Sequence, residues 1–312
     1  MPEWSRQWRV AWANKTDKPG GLRQSSGKRK RGSADMKKIL VTGCNGQLGR
    51  AIQKEYESDG AMLVCTDVGD LDITDNAQVM HYVRELHPDV IMNCAAYTAV
   101  DACEDAWDLA YRINAIGPRN LAVAAEDTGA KLMHISTDYV FDGEGTSPYT
   151  EFDAVGPVSA YGKTKLEGER FAEQLSTRFF IIRTAWLYGE GKNFARTMLK
   201  LAETQDEIRV VNDQLGTPTS AAEVARLMHA LEPTDNYGLF HGTCEGSCSW
   251  ADFASEIFRL AGMSTRVRGV STEEYASPTK RPAYSVLDNY MLRLTGSYRM
   301  ADWEAALKEY LK

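Results

Sequence analysis

The sequence predicts an α/β fold: a doubly wound parallel sheet of the Rossmann type, with a smaller C-terminal α/β substrate-binding lobe. Three observations predict it. Apolar runs of strand length alternate with helix-like segments from Lys37 onward, the pattern of a parallel sheet flanked by helices. A glycine-rich turn, Gly43-Cys44-Asn45-Gly46-Gln47-Leu48-Gly49, stands between the first run and the first helix. Tyr161 and Lys165 stand four apart on a segment, 159–174, that reads as a helix and puts both on one face.

Taken in order, residues 39–41 read as a buried strand, with Met36 as its natural start. A helix near 47–58 follows the turn, then a strand at 62–65. A helix at 76–86 is stopped by Pro88, and 90–92 is the third strand. The helix near 107–128 must kink or restart at Pro118, which has no amide proton to give. Strands at 132–136 and 179–182 flank a loop-rich stretch, 143–157, and the helix bearing Tyr161. Beyond Arg183 the pattern loosens. Helices are expected at 193–204 and 221–231, with short strands at 208–211 and 239–242. A last helix, 249–260, has Ser249 as its N-cap. The expected boundaries are a dinucleotide-binding domain over 36–183 and a mainly substrate-binding lobe over 184–312. Within the lobe, segments near 205–232 are expected to return to the first domain.

Composition limits the function classes. A chain of 312 residues that is 43% hydrophobic and 25% charged is that of a soluble globular protein, here expected in the cytoplasm. No apolar run approaches the roughly 20 residues that span a bilayer. Six cysteines in such a length do not make a disulfide scaffold; Cys44, Cys65, Cys94 and Cys103 read as reduced core thiols. Cys244 and Cys248 lack the further Cys or His that would complete a zinc site, so no metal is assigned.

The net charge of −7 is unevenly spread. Residues 1–35 hold nine Lys/Arg against three acids, which leaves −13 for the rest, an acidic body unsuited to nucleic acid. Residues 1–35 show no hydrophobic period. Lys28-Arg29-Lys30-Arg31 has the composition of a nuclear or nucleic-acid patch. The other reading is a disordered, dispensable extension or an over-called start ahead of Met36.

The glycine turn has the context that lets backbone approach a pyrophosphate, with the helix N-terminus offering amides to it. Gly43, Gly46, Gln47, Leu48 and Gly49 are its candidate contacts. Asp67, 24 residues after Gly43, ends the second strand, where a carboxylate accepts from both ribose hydroxyls and repels a 2′-phosphate. That favours NADH over NADPH without excluding the latter. Asp72 and Ile73 are placed beside the adenine, and Ala95, Ala96 and Tyr97 beyond the third strand leave room for the cofactor. Ser136-Thr137-Asp138-Tyr139 closes the fourth strand; Thr137 is the candidate donor to a carbonyl being reduced, and Ser136 its rival. Tyr161 is the candidate proton carrier, with Lys165 expected to lower its pKa into a useful range.

These residues resemble the extended short-chain dehydrogenase/reductase family, and within it the dTDP-4-dehydrorhamnose reductases. The likeness runs from Met36 almost to the C-terminus. Beside the motifs above it is carried by Thr98-Ala99-Val100-Asp101, Arg183-Thr184-Ala185-Trp186-Leu187-Tyr188, residues 212–219 and Arg281-Pro282-Ala283-Tyr284-Ser285. The resemblance implies reduction of a dTDP-sugar ketone by NADH or NADPH, with Tyr161 giving the proton. It implies that Lys165 holds a nicotinamide ribose hydroxyl and that Thr137 orients the ketone. It implies a sugar pocket lined by Thr98, Val100, Asp138 and Trp186, with Asn193 and Arg281 at the diphosphate. From the residues alone, Trp186 reads equally as core packing and Arg281 as a surface arginine. Some relatives bridge a dimer through magnesium and a glutamate just after the glycine motif. Gly49-Arg50-Ala51-Ile52 has no acid there, so the chain is expected to act as a monomer or homodimer without metal.

Three other readings stay open. A sugar-nucleotide 4,6-dehydratase needs a Glu after Asp138, where this chain has Tyr139. A 4-epimerase shares the Tyr/Lys pair. A non-catalytic subunit resembling the regulatory partner of methionine adenosyltransferase would suit the basic extension. A chain beginning at Met36 is expected to keep the fold and the activity of the full chain, as measured by its unfolding midpoint and turnover.

Overall fold

The computed structural model describes residues 36–275 and 281–312; the N-terminal extension read from the sequence lies outside the described residues. The chain begins with β1 (Lys38–Thr42), α1 (Gln47–Glu55), β2 (Met62–Thr66), α2 (Asn76–Leu86) and β3 (Val90–Asn93). Two short helices follow, α3 (Val100–Asp105) and α4 (Trp107–Tyr111), then a π-helical turn at Arg112–Ile116 and α5 (Gly117–Thr128). Pro118 sits in the first turn of α5, where a missing amide costs nothing. The long helix expected over 107–128 is therefore three pieces. Next come β4 (Lys131–Thr137), α6 (Ala160–Leu175) and β5 (Phe179–Thr184).

β1–β5 form one parallel sheet, joined at its edge by β10 (Gly238–His241), in the order β10-β5-β4-β3-β1-β2. β1, β3, β4 and β5 are buried on both faces and read as apolar runs, while β2 at the sheet edge is partly exposed. Alternate residues part to either side. Ile39 and Val41 pack with Leu48 and Ile52 of α1 and with Val224, Leu227 and Met228, while Leu40 packs with Val79, Leu121 and Ala125 on the other side. Chain order reverses between β1 and β3, and the crevice beyond their carboxyl ends is where such sheets take ligands.

The remaining elements build the lobe and its ties to the sheet. They are β6 (Leu187–Tyr188), α7 (Phe194–Ala202), β7 (Glu207–Val211), β8 (Leu215–Gly216), β9 (Thr219–Ser220) and α8 (Ala221–Leu231). After β10 come β11 (Cys248–Ser249), α9 (Trp250–Leu260), β12 (Arg266–Val270), α10 (Thr272–Tyr275), α11 (Tyr290–Thr295) and α12 (Trp303–Tyr310). The stretch near 205–232 divides. Its helix α8 lies against the sheet, but β7 pairs in parallel with β12, away from it. A second apolar core joins Met198, Ile208, Val210, Phe253, Ile257 and Leu307. Ser249 caps α9 reciprocally with Asp252, which fixes where that helix starts.

Helix α6 sits unusually close to the π turn. A methyl at Gly168 would lie 2.2 Å from the Asn114 carbonyl oxygen, a backbone atom with little freedom to retreat. Gly168→Ala is expected to destabilise the fold by about 1–3 kcal/mol, seen as a lower denaturant midpoint.

Candidate active site

The turn after β1 is shaped by glycines that a side chain would obstruct. Gly43 has φ +66°, and a methyl there would lie 2.7 Å from the Ala95 backbone. A methyl at Gly49 would lie 2.5 Å from the Gly43 carbonyl oxygen. Gly46 is the N-cap of α1 and supplies no capping side chain, so the first amides of that helix stay open to an anion. Leu48 anchors the turn in the core, and the buried Gln47 Oε1 has no hydrogen-bond partner. An open helix N-terminus and a backbone-lined hollow fit a dinucleotide pyrophosphate.

Asp67 follows β2 directly and accepts from the Asn45 amide at 3.3 Å and the Val68 amide at 2.8 Å, so it borders the turn. Asp72 accepts from the Thr74 amide at 2.9 Å. The Ile73 side chain, next to Asp72 in the chain, is buried under Gly117 of α5. Ala95 backs onto Gly43, Ala96 and Tyr97 follow it in the chain, and the Tyr97 amide donates to Asn114 Oδ1 at 2.8 Å. Asn114, on the π turn, also donates to the Tyr97 carbonyl and to Thr164 on α6. The sequence reading missed this clasp, because an ordinary α-helical register does not reveal where a π turn aims its residue.

Helix α6 starts at the Ser159 cap, whose hydroxyl accepts from the Gly162 amide at 3.1 Å. Tyr161, Lys165 and Glu169 recur every four residues and face the sheet. The Lys165 ammonium donates to the Ile135 carbonyl of β4 at 2.5 Å. Burial lowers its pKa to about 8, opposed by the Glu169 carboxylate. Glu169 itself takes a two-pronged contact from Arg183 of β5, at 2.9 and 2.7 Å, with both side chains buried. Neither Glu169 nor Arg183 was assigned a role from the sequence, although Glu169 continues the spacing of Tyr161 and Lys165.

Thr137 ends β4 and Asp138 opens the 3-10 turn after it, both close to Tyr161. The Thr137 hydroxyl donates to Asp138 Oδ1 at 2.8 Å and accepts from the Tyr139 amide at 3.3 Å. The Tyr139 ring meets Tyr161 edge-on at 5.5 Å. The phenol of Tyr161 corrects an expectation: its pKa is raised, not lowered. Loss of water raises it most, Thr137 opposes, and Asp138 and Tyr139 raise it further. Lys165 is turned onto the β4 carbonyl, so its charge does not offset that desolvation. Ser136, the rival of Thr137, has a buried hydroxyl with no partner.

On the lobe side, Trp186 adopts φ +47°, a strained conformation for a bulky residue, and stacks on Trp250 with ring centres 3.5 Å apart. A cavity of about 310 Å³ lies beyond, bounded by Phe194, Met198, Val210, Trp250, Arg209 and Arg281. Arg281 reaches Asp101 of α3 at 3.5 Å and so bridges the sheet side and the lobe. Thr98 is exposed and Val100 partly buried at the start of α3. Asn193 corrects a second expectation. It is the N-cap of α7, and its amide donates to the Gly189 carbonyl at 2.6 Å and to the Tyr310 hydroxyl at 3.1 Å. Those contacts commit it to holding the loop.

Comparison with known proteins agrees with this geometry. The family model described as the RmlD substrate binding domain matches residues 36–312. The chain is 42% identical over 278 residues to the spore coat polysaccharide biosynthesis protein SpsK of Bacillus subtilis, covering 89% of this chain and 98% of that one. It is 56% identical to a dTDP-4-dehydrorhamnose reductase structure from Clostridium acetobutylicum, with a TM-score of 0.87 and coverage of 88% and 98%. It is 44% identical to a dTDP-4-dehydrorhamnose reductase structure from Bacillus anthracis in complex with NADP, with a TM-score of 0.87 and coverage of 88% and 99%.

Gly43→Ala is expected to abolish NAD(P)H binding in a fluorescence titration. The left-handed backbone costs an alanine about 1–2 kcal/mol, and its methyl meets the Ala95 backbone.

Proposed function

The chain belongs to the RmlD substrate-binding-domain family, and we propose that it reduces the C4 ketone of dTDP-4-dehydro-6-deoxy-L-mannose to dTDP-L-rhamnose with NADH or NADPH. The product would serve deoxysugar and cell-surface polysaccharide synthesis, in keeping with the relative named for spore coat polysaccharide. The observation that carries the proposal is the meeting of Thr137 and Tyr161 at the carboxyl end of the sheet. They stand between a glycine hollow fit for a dinucleotide and a lobe cavity with arginines for a diphosphate.

A reduced nicotinamide cofactor, held at the hollow of Gly43, Gly46 and Gly49, would supply the hydride for C4. The residues do the rest. The oxygen of the ketone gains negative charge as C4 is reduced, and the Tyr161 O–H bond breaks as its proton passes to that oxygen. A proton donor must hold its proton at working pH, and the raised phenol pKa of Tyr161 ensures that it does. Lys165, still mainly protonated at pH 7, would favour the phenolate left behind once its ammonium leaves the Ile135 carbonyl for a ribose hydroxyl. Thr137 orients the ketone, Asp138, Trp186, Thr98 and Val100 border the sugar, and Arg281 meets the diphosphate. Asp67 repels a 2′-phosphate, which favours NADH, whereas the Bacillus anthracis relative is complexed with NADP.

We place the enzyme in the cytoplasm as a monomer or homodimer. All six cysteines are unpaired, as in a reducing compartment. No helix among the described residues is long and apolar enough to cross a membrane.

The decisive assay follows loss of reduced-cofactor absorbance with the dTDP-4-keto sugar and identifies the product. Stoichiometric oxidation with formation of dTDP-L-rhamnose supports the proposal and ranks NADH against NADPH; a cofactor-binding chain that oxidises none would overturn it in favour of an epimerase or a regulatory subunit. Tyr161→Phe is expected to lower kcat by about 10²–10⁴-fold with cofactor affinity retained. Lys165→Met should weaken both.

A further inference from the structure

A hydroxyl has one proton to give and two lone pairs to receive with. At Thr137 all but one of these are accounted for. Its proton goes to Asp138 Oδ1 at 2.8 Å, and one lone pair takes the Tyr139 amide at 3.3 Å. In that state the lone pair left on Thr137 faces the Tyr161 phenol and the site, and a lone pair repels the oxygen of a ketone. A Thr137 that activates the ketone needs its proton released from Asp138.

We propose that Asp138 is a positioning residue that decides where the Thr137 proton points. When the carboxyl is protonated it donates to Thr137 Oγ1, which fills the second lone pair and turns the threonine proton toward the ketone oxygen. When it is ionised it recaptures that proton and the ketone loses its donor. The inference rests on the reductase reading above and assigns a regulation to that same site.

The surroundings of Asp138 favour the protonated form. The side chain is buried, and its Oδ2 has no hydrogen-bond partner in the protein. An ionised carboxylate left half-partnered away from water is costly. Burial raises the carboxyl to about 6, against the Thr137 and Ser285 hydroxyls and the Asp138 and Tyr139 amides, which lower it. The other titratable groups facing it are the phenols of Tyr161 and Tyr139, both raised in turn by Asp138. Arg281 and Asp101 act on Tyr139, and Lys165 on the Cys94 and His134 side. A bound sugar displaces more water and pushes the carboxyl higher, so substrate binding itself takes up a proton at Asp138. This proton is not consumed; the one transferred to the ketone comes from Tyr161.

The sign of the pH dependence follows. Asp138 is protonated at low pH and ionises as pH rises, so activation of the ketone fades on the alkaline side. The test is the pH profile of kcat and of kcat/KM for the full chain, Asp138→Asn, Thr137→Val and the double variant. The parent should lose about tenfold in kcat/KM per pH unit above an apparent pKa near 6, with the limb in kcat shifted to higher pH. Asp138→Asn keeps a donor on Thr137 at every pH and should lose this limb, while the later limb set by Lys165 remains. In Thr137→Val the same limb should vanish, and adding Asp138→Asn should change nothing more. A limb that persists in Asp138→Asn overturns the proposal. So does a fall by one constant factor at all pH values, which would mark Asp138 as a direct sugar contact.

If the chain shows no turnover at any pH, the reductase reading is what fails. The hydrogen-bond switch is then decided by carbon-13 NMR titration of the Asp138 carboxyl. Removing the hydroxyl that stabilises the ionised form, in Thr137→Val, should raise its pKa; an unchanged value sinks the switch.

Discussion

The buried pairing of Glu169 with Arg183 fixes helix α6 to strand β5, and the site takes its register from that contact. Glu169 lies four residues beyond Lys165 and eight beyond Tyr161, so holding its carboxylate holds the whole stripe. Arg183 is the register partner of Ser136, and Thr184 that of Thr137, so the same contact sets the height of β4 against the helix. An isolated charge at either position would cost several kcal/mol of desolvation. Together they convert that cost into alignment, because two parallel N–H···O contacts tolerate little sliding. The opposition of Tyr161 and Thr137 is thus enforced from the interior, out of reach of solvent and salt.

Much of this architecture was legible in the residues. The five strands of the first half and the helices at Asn76–Leu86 and Ala221–Leu231 stand where periodicity puts them, because burial on one or both faces writes itself into composition. The lobe was less legible for a physical reason. Its strand pairs β6 with β9 and β8 with β11 are two residues long, too short to have a period, and depend on chain brought from far away. Strand β12 carries Arg266, Arg268 and Gly269, a polar segment that pairing alone makes regular.

In the site, the spacing of Thr137, Asp138, Tyr161 and Lys165 could be read, but their electrostatics could not. A Lys four residues from a Tyr suggests a depressed phenol; the structure shows desolvation winning while the ammonium serves a strand carbonyl. Asn193 likewise looks like a ligand contact in one dimension and is a helix cap in three. Polar residues advertise that they will be satisfied, not by whom.

The π turn at Arg112–Ile116 bears on how this chain tolerates insertion and deletion. The Gly117 amide reaches back to the Arg112 carbonyl, a loop one residue longer than an α turn. That surplus residue is what lets the segment widen, swing the Asn114 carboxamide to Tyr97 and Thr164, and still deliver Leu121, Ala122 and Ala125 of α5 to the core. Each residue of an α-helix turns the chain by about 100°. Losing one residue here would let four α-helical residues span the angle now taken by the five of the wider turn, which keeps α5 on the sheet but carries the Asn114 carboxamide away from Tyr97 and Thr164. The extra residue thus governs where one side chain points, and the packing of α5 is indifferent to it.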